Sequence, residues 1–385
     1  MILLHTSDWH LGAYIKGFSL QEDQEYLFEQ LFRILEERRV DAMLVAGDVY
    51  DTVTSRAEAI SLYDRVMTRI CGRMNIPAVV IAGNHDGAER LSAGAALLSQ
   101  AGLHVFGRIR LPIQPVLLGV EKQVAVYPVP FFHPDEVREY LQATGKGDPA
   151  AIRTPEDALA AVIGEIRPTL NPKKFNVLMG HVTVLDVERS ASERSVAIGM
   201  VDSVPASLMD GFDYVALGHI HKPQQVGGRE RIRYSGSMQI MSFGAEEKQT
   251  KSVVLVDTET GAMEQVPLRM KRPFHTVEGS LAEIQAQLPS CREDYLELHV
   301  TDQIPPPEVQ SALRNDYPYI TSIQGRQEQA PTCLGRVNQQ EAAGLSEEDL
   351  LNIFLEDNGM EPPTPLQLEF FRTAWKAVRA QEDQQ

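Results

Sequence analysis

Five short blocks carry the side chains able to do chemistry: Asp8-Trp9-His10, Gly47-Asp48-Val49-Tyr50-Asp51, Gly83-Asn84-His85-Asp86, Gly180-His181 and Gly218-His219-Ile220-His221. Carboxylates, imidazoles and one amide oxygen make a mixed nitrogen and oxygen donor set. Such a set suits manganese, iron or zinc better than magnesium or calcium alone. Asp48 follows the apolar run Ala42-Met43-Leu44-Val45-Ala46 and Gly47. A carboxylate there is costly to bury unless something positive meets it, and Asp48 is read as the ligand shared by two metal ions. Two ions roughly 3.5–4 Å apart clamp an in-line displacement at phosphorus and lower the pKa of a water between them. A diester also needs its leaving oxygen protonated or stabilised. His85, beside Asn84, is the candidate for that task, and Asp51 is expected to hold its ring in the cationic, donating form.

The elements that must position these residues follow from the pattern around them. Ile2–Thr6, Ala42–Gly47, Ala78–Ala82, Asn176–Met179 and Asp213–Leu217 are apolar runs of strand length, each ending at one block. Continuous apolar runs of this kind are strands covered on both faces. Leu20–Arg39, Arg56–Met74 and Leu91–Gln100 carry apolar residues at helical spacing, with Ile76-Pro77 as a break. Strands alternating with helices predict a parallel α/β arrangement. Ligands in such folds sit at the carboxyl ends of strands, so the five ends are expected to converge on one edge of a sheet. Val116–Pro130 reads as antiparallel strands, 134–174 as helical, and Ile232–Tyr234 and Ser252–Val256 as hairpin strands.

The character changes near Lys271-Arg272-Pro273. A small β-α-β unit is expected from Phe274 to about Arg326, with helices at Leu281–Leu288 and after Pro305-Pro306-Pro307 and a strand at Tyr295–Val300. Residues 327–344 read as a polar linker. Ser346, with Asp349 three residues on, opens a helix, and Pro365–Gln381 is a final helix with an apolar stripe through Leu366, Phe370, Phe371 and Trp375. That stripe is open to two readings, simple packing or docking into a partner's groove.

At 385 residues the chain is long for one domain. Its net charge of −17 argues against a free-standing, non-specific nucleic-acid binder. It leaves a nuclease open, because bound cations can be the largest local charges in a site. Cys71, Cys291 and Cys333 lie far apart without metal-type spacing, which points to reduced thiols and a cytoplasmic setting. The start of the sequence turns polar too soon for a signal peptide, and no apolar run approaches a membrane span. No Gly-x-x-x-x-Gly-Lys-[Ser/Thr] loop is present, so any ATP use belongs to another chain.

Bland readings stand beside these. His5, His104, His133, His275 and His299 lack the strand-end context and read as structural or surface histidines. Trp9 reads as packing beneath the site. Tyr14, Lys16 and Arg90 read as solvated, with contact to a phosphate backbone as the alternative. Ser237, after Gly236, reads as support for the site or as a turn.

The five blocks, in order over roughly residues 4–222, resemble the calcineurin-like metallophosphoesterase superfamily, whose signature is D-x-H, G-D-x-x-D, G-N-H-[DE], G-H and G-H-x-H. A nearer likeness, to the superfamily's DNA-nuclease branch, rests on the stretches 5–12, 46–51, 82–86, 217–221 and 234–237. The resemblance implies a four-layer α/β/β/α fold over 1–272, a small α+β capping domain over 273–328, and a C-terminal helical segment over 345–385. It assigns one metal to Asp8, His10, Asp48 and His221, and the other to Asp48, Asn84, His181 and His219. His85 is then the catalytic histidine that is not a ligand, while other branches carry histidine where Asp51 stands. The implied ions are two divalent cations, manganese preferred. The implied activity is exonuclease action on duplex DNA ends, gated by ATP, with endonuclease action on single strands and hairpins. The implied partner is an ABC-type ATPase, whose coiled coil receives the C-terminal helices in an assembly built on a homodimer of this chain. Two rivals remain: a phosphoesterase for small nucleotides or phosphoproteins, and a silent scaffold for the ATPase.

Overall fold

The computed structural model describes residues 1–185, 187, 188, 192, 203–325, 363, 367 and 368. Strand β1 (Ile2–Thr6), helix α1 (Gln21–Glu37), β2 (Ala42–Ala46), α2 (Ala57–Met67), β3 (Ala78–Ile81) and β4 (Leu103–Phe106) build the parallel part of a first sheet. All five residues of β2 are buried, as a central strand requires. α1 turns Leu27, Phe28, Leu31, Phe32 and Leu35 inward at three-to-four spacing. The second helix of the sequence reading divides into α2 and a π-helical stretch, Thr68–Arg73, ahead of Pro77.

The chain then lays down a second sheet: β5 (Val116–Leu118), β6 (Val124–Val129), helices α3 (Pro134–Thr144) and α4 (Pro155–Ile166), β7 (Phe175–His181), β8 (Tyr214–Gly218), β9 (Gln224–Val226) and β10 (Arg229–Tyr234). It finally returns to the first sheet with β11 (Ser252–Asp257) and β12 (Met263–Pro267). The first sheet runs β12-β11-β1-β2-β3-β4 and the second β9-β10-β8-β7-β6-β5. The two segments read as hairpin strands belong to different sheets. β10 turns back on β9, and β11 on β12 through Glu259-Thr260-Gly261.

Alternation along the strands stacks the layers. Leu3, Leu44, Ala46, Val79 and Ile81 of the first sheet meet Val126, Val177, Met179, Tyr214 and Ala216 of the second. On the outer faces, Met43, Val45 and Val80 pack under α1 and α2, while Tyr127, Leu178 and Val215 pack with Val137, Leu159 and Val162 of α3 and α4. The result is the expected α/β/β/α order. One expectation is corrected. The five strand ends do not share a sheet: β1, β2 and β3 end in the first, β7 and β8 in the second. Strands covered on both faces read alike in either sheet, so the sequence pattern does not separate them.

A smaller unit follows: β13 (Phe274–Gly279), α5 (Leu281–Gln287), β14 (Tyr295–Val300), α6 (Pro307–Asp316) and β15 (Ile320–Gly325), with three parallel strands in that order. Ser280 and Glu283 close a capping box on α5. Val277, Ile284, Leu288, Leu296, Leu298 and Leu313 are among its own buried residues. It is tied to α1 by Arg272, whose Nη1 donates to the buried Asp23 at 2.8 Å, and by the Tyr295 hydroxyl, which donates to the same carboxylate at 3.0 Å. Lys16, read as solvated, instead donates to Glu297 at 2.6 Å. The expected linker, Cys333 and the C-terminal helices lie outside the described residues, apart from Pro363, Gln367 and Leu368.

Candidate metal centre

The carboxyl ends of β1, β2, β3, β7 and β8 bring their side chains into one buried cluster. Asp8, His10, Asp48, His85, His181, His219 and His221 are all nearly inaccessible to solvent. Four of them, Asp8, His10, Asp48 and His219, have φ of +51°, +45°, +49° and +98°. A non-glycine residue held there costs on the order of 1–3 kcal/mol and persists only where its surroundings enforce it. Backbone hydrogen bonds enforce it here: the Asp8 amide donates to the Gly47 carbonyl and the His10 amide to the Asp48 carbonyl, both at 3.0 Å. The glycines allow the approach of the two sheets. A Cβ on Gly218 would overlap the Ala46 carbonyl, and one on Gly83 would overlap the Asp48 carboxylate.

The donors fall into two main groups, with a third, His10, Asp51 and His85, sharing His10 with the first. Asp8, His10 and His221 lie together, and so do Asp48, His181 and His219. Asp48 Oδ2 stands 3.7 Å from His10 Nε2 and 3.4 Å from His181 Nε2, between the groups. Asn84 Oδ1 joins the second group, 3.0 Å from both His181 Nε2 and His219 Nδ1. His10 Nε2 and His221 Nε2 are 3.1 Å apart. Bonds of about 2.0–2.2 Å to a metal place neighbouring donors a little over 3 Å apart. These residues therefore fit two divalent cations that share Asp48.

The surrounding groups fix which atom of His181, His221 and Asp48 faces inward. His181 Nδ1 is 2.9 Å from the Ala46 carbonyl, which only accepts, so Nδ1 carries the proton and Nε2 is the inner atom. Glu246 accepts from the Ser192 hydroxyl at 2.6 Å, so that hydroxyl takes the His221 Nδ1 proton at 2.7 Å and leaves Nε2 facing in. Lys251, fully buried, donates to Glu246 at 2.7 Å and to the His221 carbonyl at 2.9 Å. Asp8 accepts from the Ser7 hydroxyl at 2.5 Å and from the His219 amide at 2.9 Å. Asp48 Oδ1 accepts from the His85 amide at 2.9 Å, which leaves Oδ2 between the groups.

Charge is balanced within this cluster. Burial pushes the Asp8 carboxyl up, to about 6, against the pull of His181. Burial works against a charged His181, but Asp48 beside it prevails and raises the imidazole to about 9. Burial also works against a charged Asp48, yet His181, His10 and His85 hold its carboxyl well below the ordinary range. In His221 burial, with the charges of His10 and Lys251, outweighs the pull of Asp48, and its pKa falls well below the ordinary value.

At His85, Nδ1 is 2.8 Å from the Asp51 carbonyl, and the Asp51 carboxylate lies 3.4 Å from His10 Nδ1 and within 4.8 Å of a ring nitrogen of each of His10 and His85. Asp86, quoted in its block without a role, accepts from the amides of Gly83, Val49 and Tyr50 and ties the ends of β2 and β3 together. Ser192, Glu246, Lys251 and the Ala46 carbonyl were missed. The first three lie outside the blocks, and a carbonyl has no sequence signature. Trp9 packs against Phe28 at 4.9 Å, as read. Tyr14 faces Arg56, Arg90 donates to the Val53 carbonyl, and Ser237 donates to the Gln239 carbonyl. Beside His181 and His219 opens a cavity of about 280 Å³, walled by Phe131, Phe132, His133 and Leu159.

Comparison with known proteins gives the following. Residues 1–223 match the family described as calcineurin-like phosphoesterase. Residues 270–358 match one described as type 5 capsule protein repressor C-terminal domain. A protein of Staphylococcus saprophyticus, named as the D component of the nuclease SbcCD, is 33% identical over 312 residues, 78% of this chain and 80% of that one. A protein of the same name from Staphylococcus epidermidis is 31% identical over 328 residues, 84% of this chain and 85% of that one. A solved structure from Thermus thermophilus aligns with 70% of this chain and 99% of its own at 13% identity, with a TM-score of 0.35.

Proposed function

The chain belongs to the calcineurin-like phosphoesterase family, in the branch of the SbcD nucleases, and on that premise we propose that it hydrolyses DNA phosphodiester bonds at the Asp48 centre. The observation that carries the reading is Asp48 Oδ2 standing between two donor groups, with His85 directly beside them. Asp8, His10, Asp48 and His221 would hold one divalent cation, and Asp48, Asn84, His181 and His219 the other. When bound, such a pair, manganese in this reading, supplies Lewis-acid polarisation of the phosphoryl group. The chain's own residues do the rest. The Ala46 carbonyl and the Ser192–Glu246 pair keep His181 and His221 in the ligating tautomer. The Asp51 carbonyl holds Nδ1 of His85, so the ring passes its proton to the leaving oxygen through Nε2. The cavity beside His181 and His219 offers an apolar wall to the nucleoside next to the cleaved phosphate.

The finer reading is exonuclease action on duplex ends gated by the ATP cycle of an SbcC-type partner, and endonuclease action on single strands and hairpins. It places a homodimer within a heterotetramer in the cytoplasm, acting in recombination, replication and repair. The nuclease domain is 1–272, the capping domain 273–328, and 345–385 docks on the partner's coiled coil. Within the described residues no helix is long and apolar enough to cross a membrane.

The test is end-labelled duplex and single-stranded DNA with manganese, with and without partner and ATP. DNA cleavage is expected. His85→Ala is expected to lose roughly 10²–10⁴-fold in rate while retaining both cations by metal analysis. Cleavage of small nucleotides but not of DNA overturns the nuclease reading. Full DNA processing by the His85→Ala complex overturns the catalytic assignment.

A further inference from the structure

Outside the centre, the described residues hold one more gathering of metal-type donors: His275, Cys291 and Asp294. They come from three neighbouring segments of the small unit. His275 is the second residue of β13, Cys291 ends a short 3-10 helix over Leu288–Cys291, and Asp294 immediately precedes β14. Parallel pairing sets Phe274 opposite Tyr295, and the Tyr295 amide donates to the Pro273 carbonyl at 2.9 Å. The Asp294 amide donates to the Cys291 carbonyl at 3.1 Å, closing a turn between those two residues. His275 Nε2 lies 3.2 Å from Asp294 Oδ2, and the three donor atoms lie within 4.8 Å of one another.

We propose that His275, Cys291 and Asp294 form a separate site for a zinc-type divalent cation, with water completing the coordination. Zinc bonds to imidazole nitrogen and thiolate sulfur run about 2.0–2.3 Å, which sets the donors some 3–4 Å apart, and His275 and Asp294 already stand at that spacing. A thiolate selects zinc over manganese or magnesium, so this site prefers a different ion from the Asp48 centre, which has no thiol. The Ser290 hydroxyl donates to the Gln287 carbonyl at 2.7 Å and lies 3.4 Å from Cys291 Sγ. The His275 side chain is 47% exposed and opens the site to solvent. An ion here joins the start of β13 to the segment leading into β14 and stiffens the first parallel pair of the small unit. The strand-end criterion passed over His275, because its partners lie 16 and 19 residues on.

The test uses the full chain, stripped of metal and titrated with cobalt(II) alone. A thiolate-to-cobalt charge-transfer band in the near ultraviolet is expected to grow and to saturate by three equivalents, because the Asp48 centre takes two of them without giving the band. It reports this site only, since no thiol lies in the Asp48 centre. The band is expected to vanish in Cys291→Ser and in His275→Ala, to persist in Cys71→Ser and Cys333→Ser, and to be displaced by zinc at lower concentration than cobalt. The exposed His275 makes its variant safe for folding, which a thermal melt checks. Absence of the band, or its survival in Cys291→Ser or His275→Ala, overturns the site. It does so independently of any nuclease assay.

Discussion

At the scale of residues, the centre depends on groups that touch no substrate. Lys251 and Glu246 form a fully buried ion pair under His221. Removing one partner of such a pair leaves an uncompensated charge and costs roughly 3–5 kcal/mol. Lys251→Met is therefore expected to lose about that much stability in urea unfolding. It should also weaken cation binding, because the His221 carbonyl loses its donor. That the centre's side chains gather was legible from type and order: aspartate, asparagine and histidine following apolar runs at Gly-marked turns. Lys251 was not. It stands directly before the β11 run Ser252–Asp257, 30 residues past His221, and nothing local marks it as buried. That the Asp51 carbonyl also meets His85 was not readable, because spacing between side chains says nothing of backbone oxygens.

At the scale of elements, glycine sets how closely the two sheets meet. Gly218→Ala would drive a Cβ into the Ala46 carbonyl. Overpacking of this kind costs about 1–3 kcal/mol, and here the shift falls between the ligands of β2 and β8. Cation affinity by calorimetry is expected to collapse, with secondary structure by circular dichroism retained. Gly164, within α4, is the contrast: a Cβ there meets nothing within 4 Å. Gly164→Ala should leave cation binding unchanged and stabilise the chain by up to about 1 kcal/mol. The strands and helices that carry the centre were readable within a few residues. Their division between two sheets was not, because Ala42–Ala46 and Tyr214–Gly218 are both buried throughout.

At the scale of the whole molecule, the small unit is held by an apolar cluster that joins Phe274 and Tyr295 to Ala13, Leu20 and Ile240, and by polar contacts around Asp23 and Glu22. Asp23→Ala strips Arg272 and Tyr295 of a shared acceptor. Hydrogen exchange is expected to quicken in β13–β15 while β1 and β2 keep their protection. Glu22 adds a pH dependence. Hydrogen bonds from Lys271 and Arg272 hold its carboxyl down from the ordinary 4.5 to about 2. A lowered folded pKa stabilises above the unfolded value and is lost as pH falls. The small unit should loosen first between about pH 4.5 and 2, by a margin that salt reduces and that Glu22→Gln removes. The order of the strands has one more effect. The second sheet is threaded between β4 and β11 of the first. On a ribosome, β1 waits for its neighbour β11 until residue 257 has been made, 36 residues after His221. A growing chain thus carries all the aspartates and histidines of the centre before it can close the sheet beneath them. Completion of the framework, rather than arrival of the last histidine, marks the moment at which the centre is held in place.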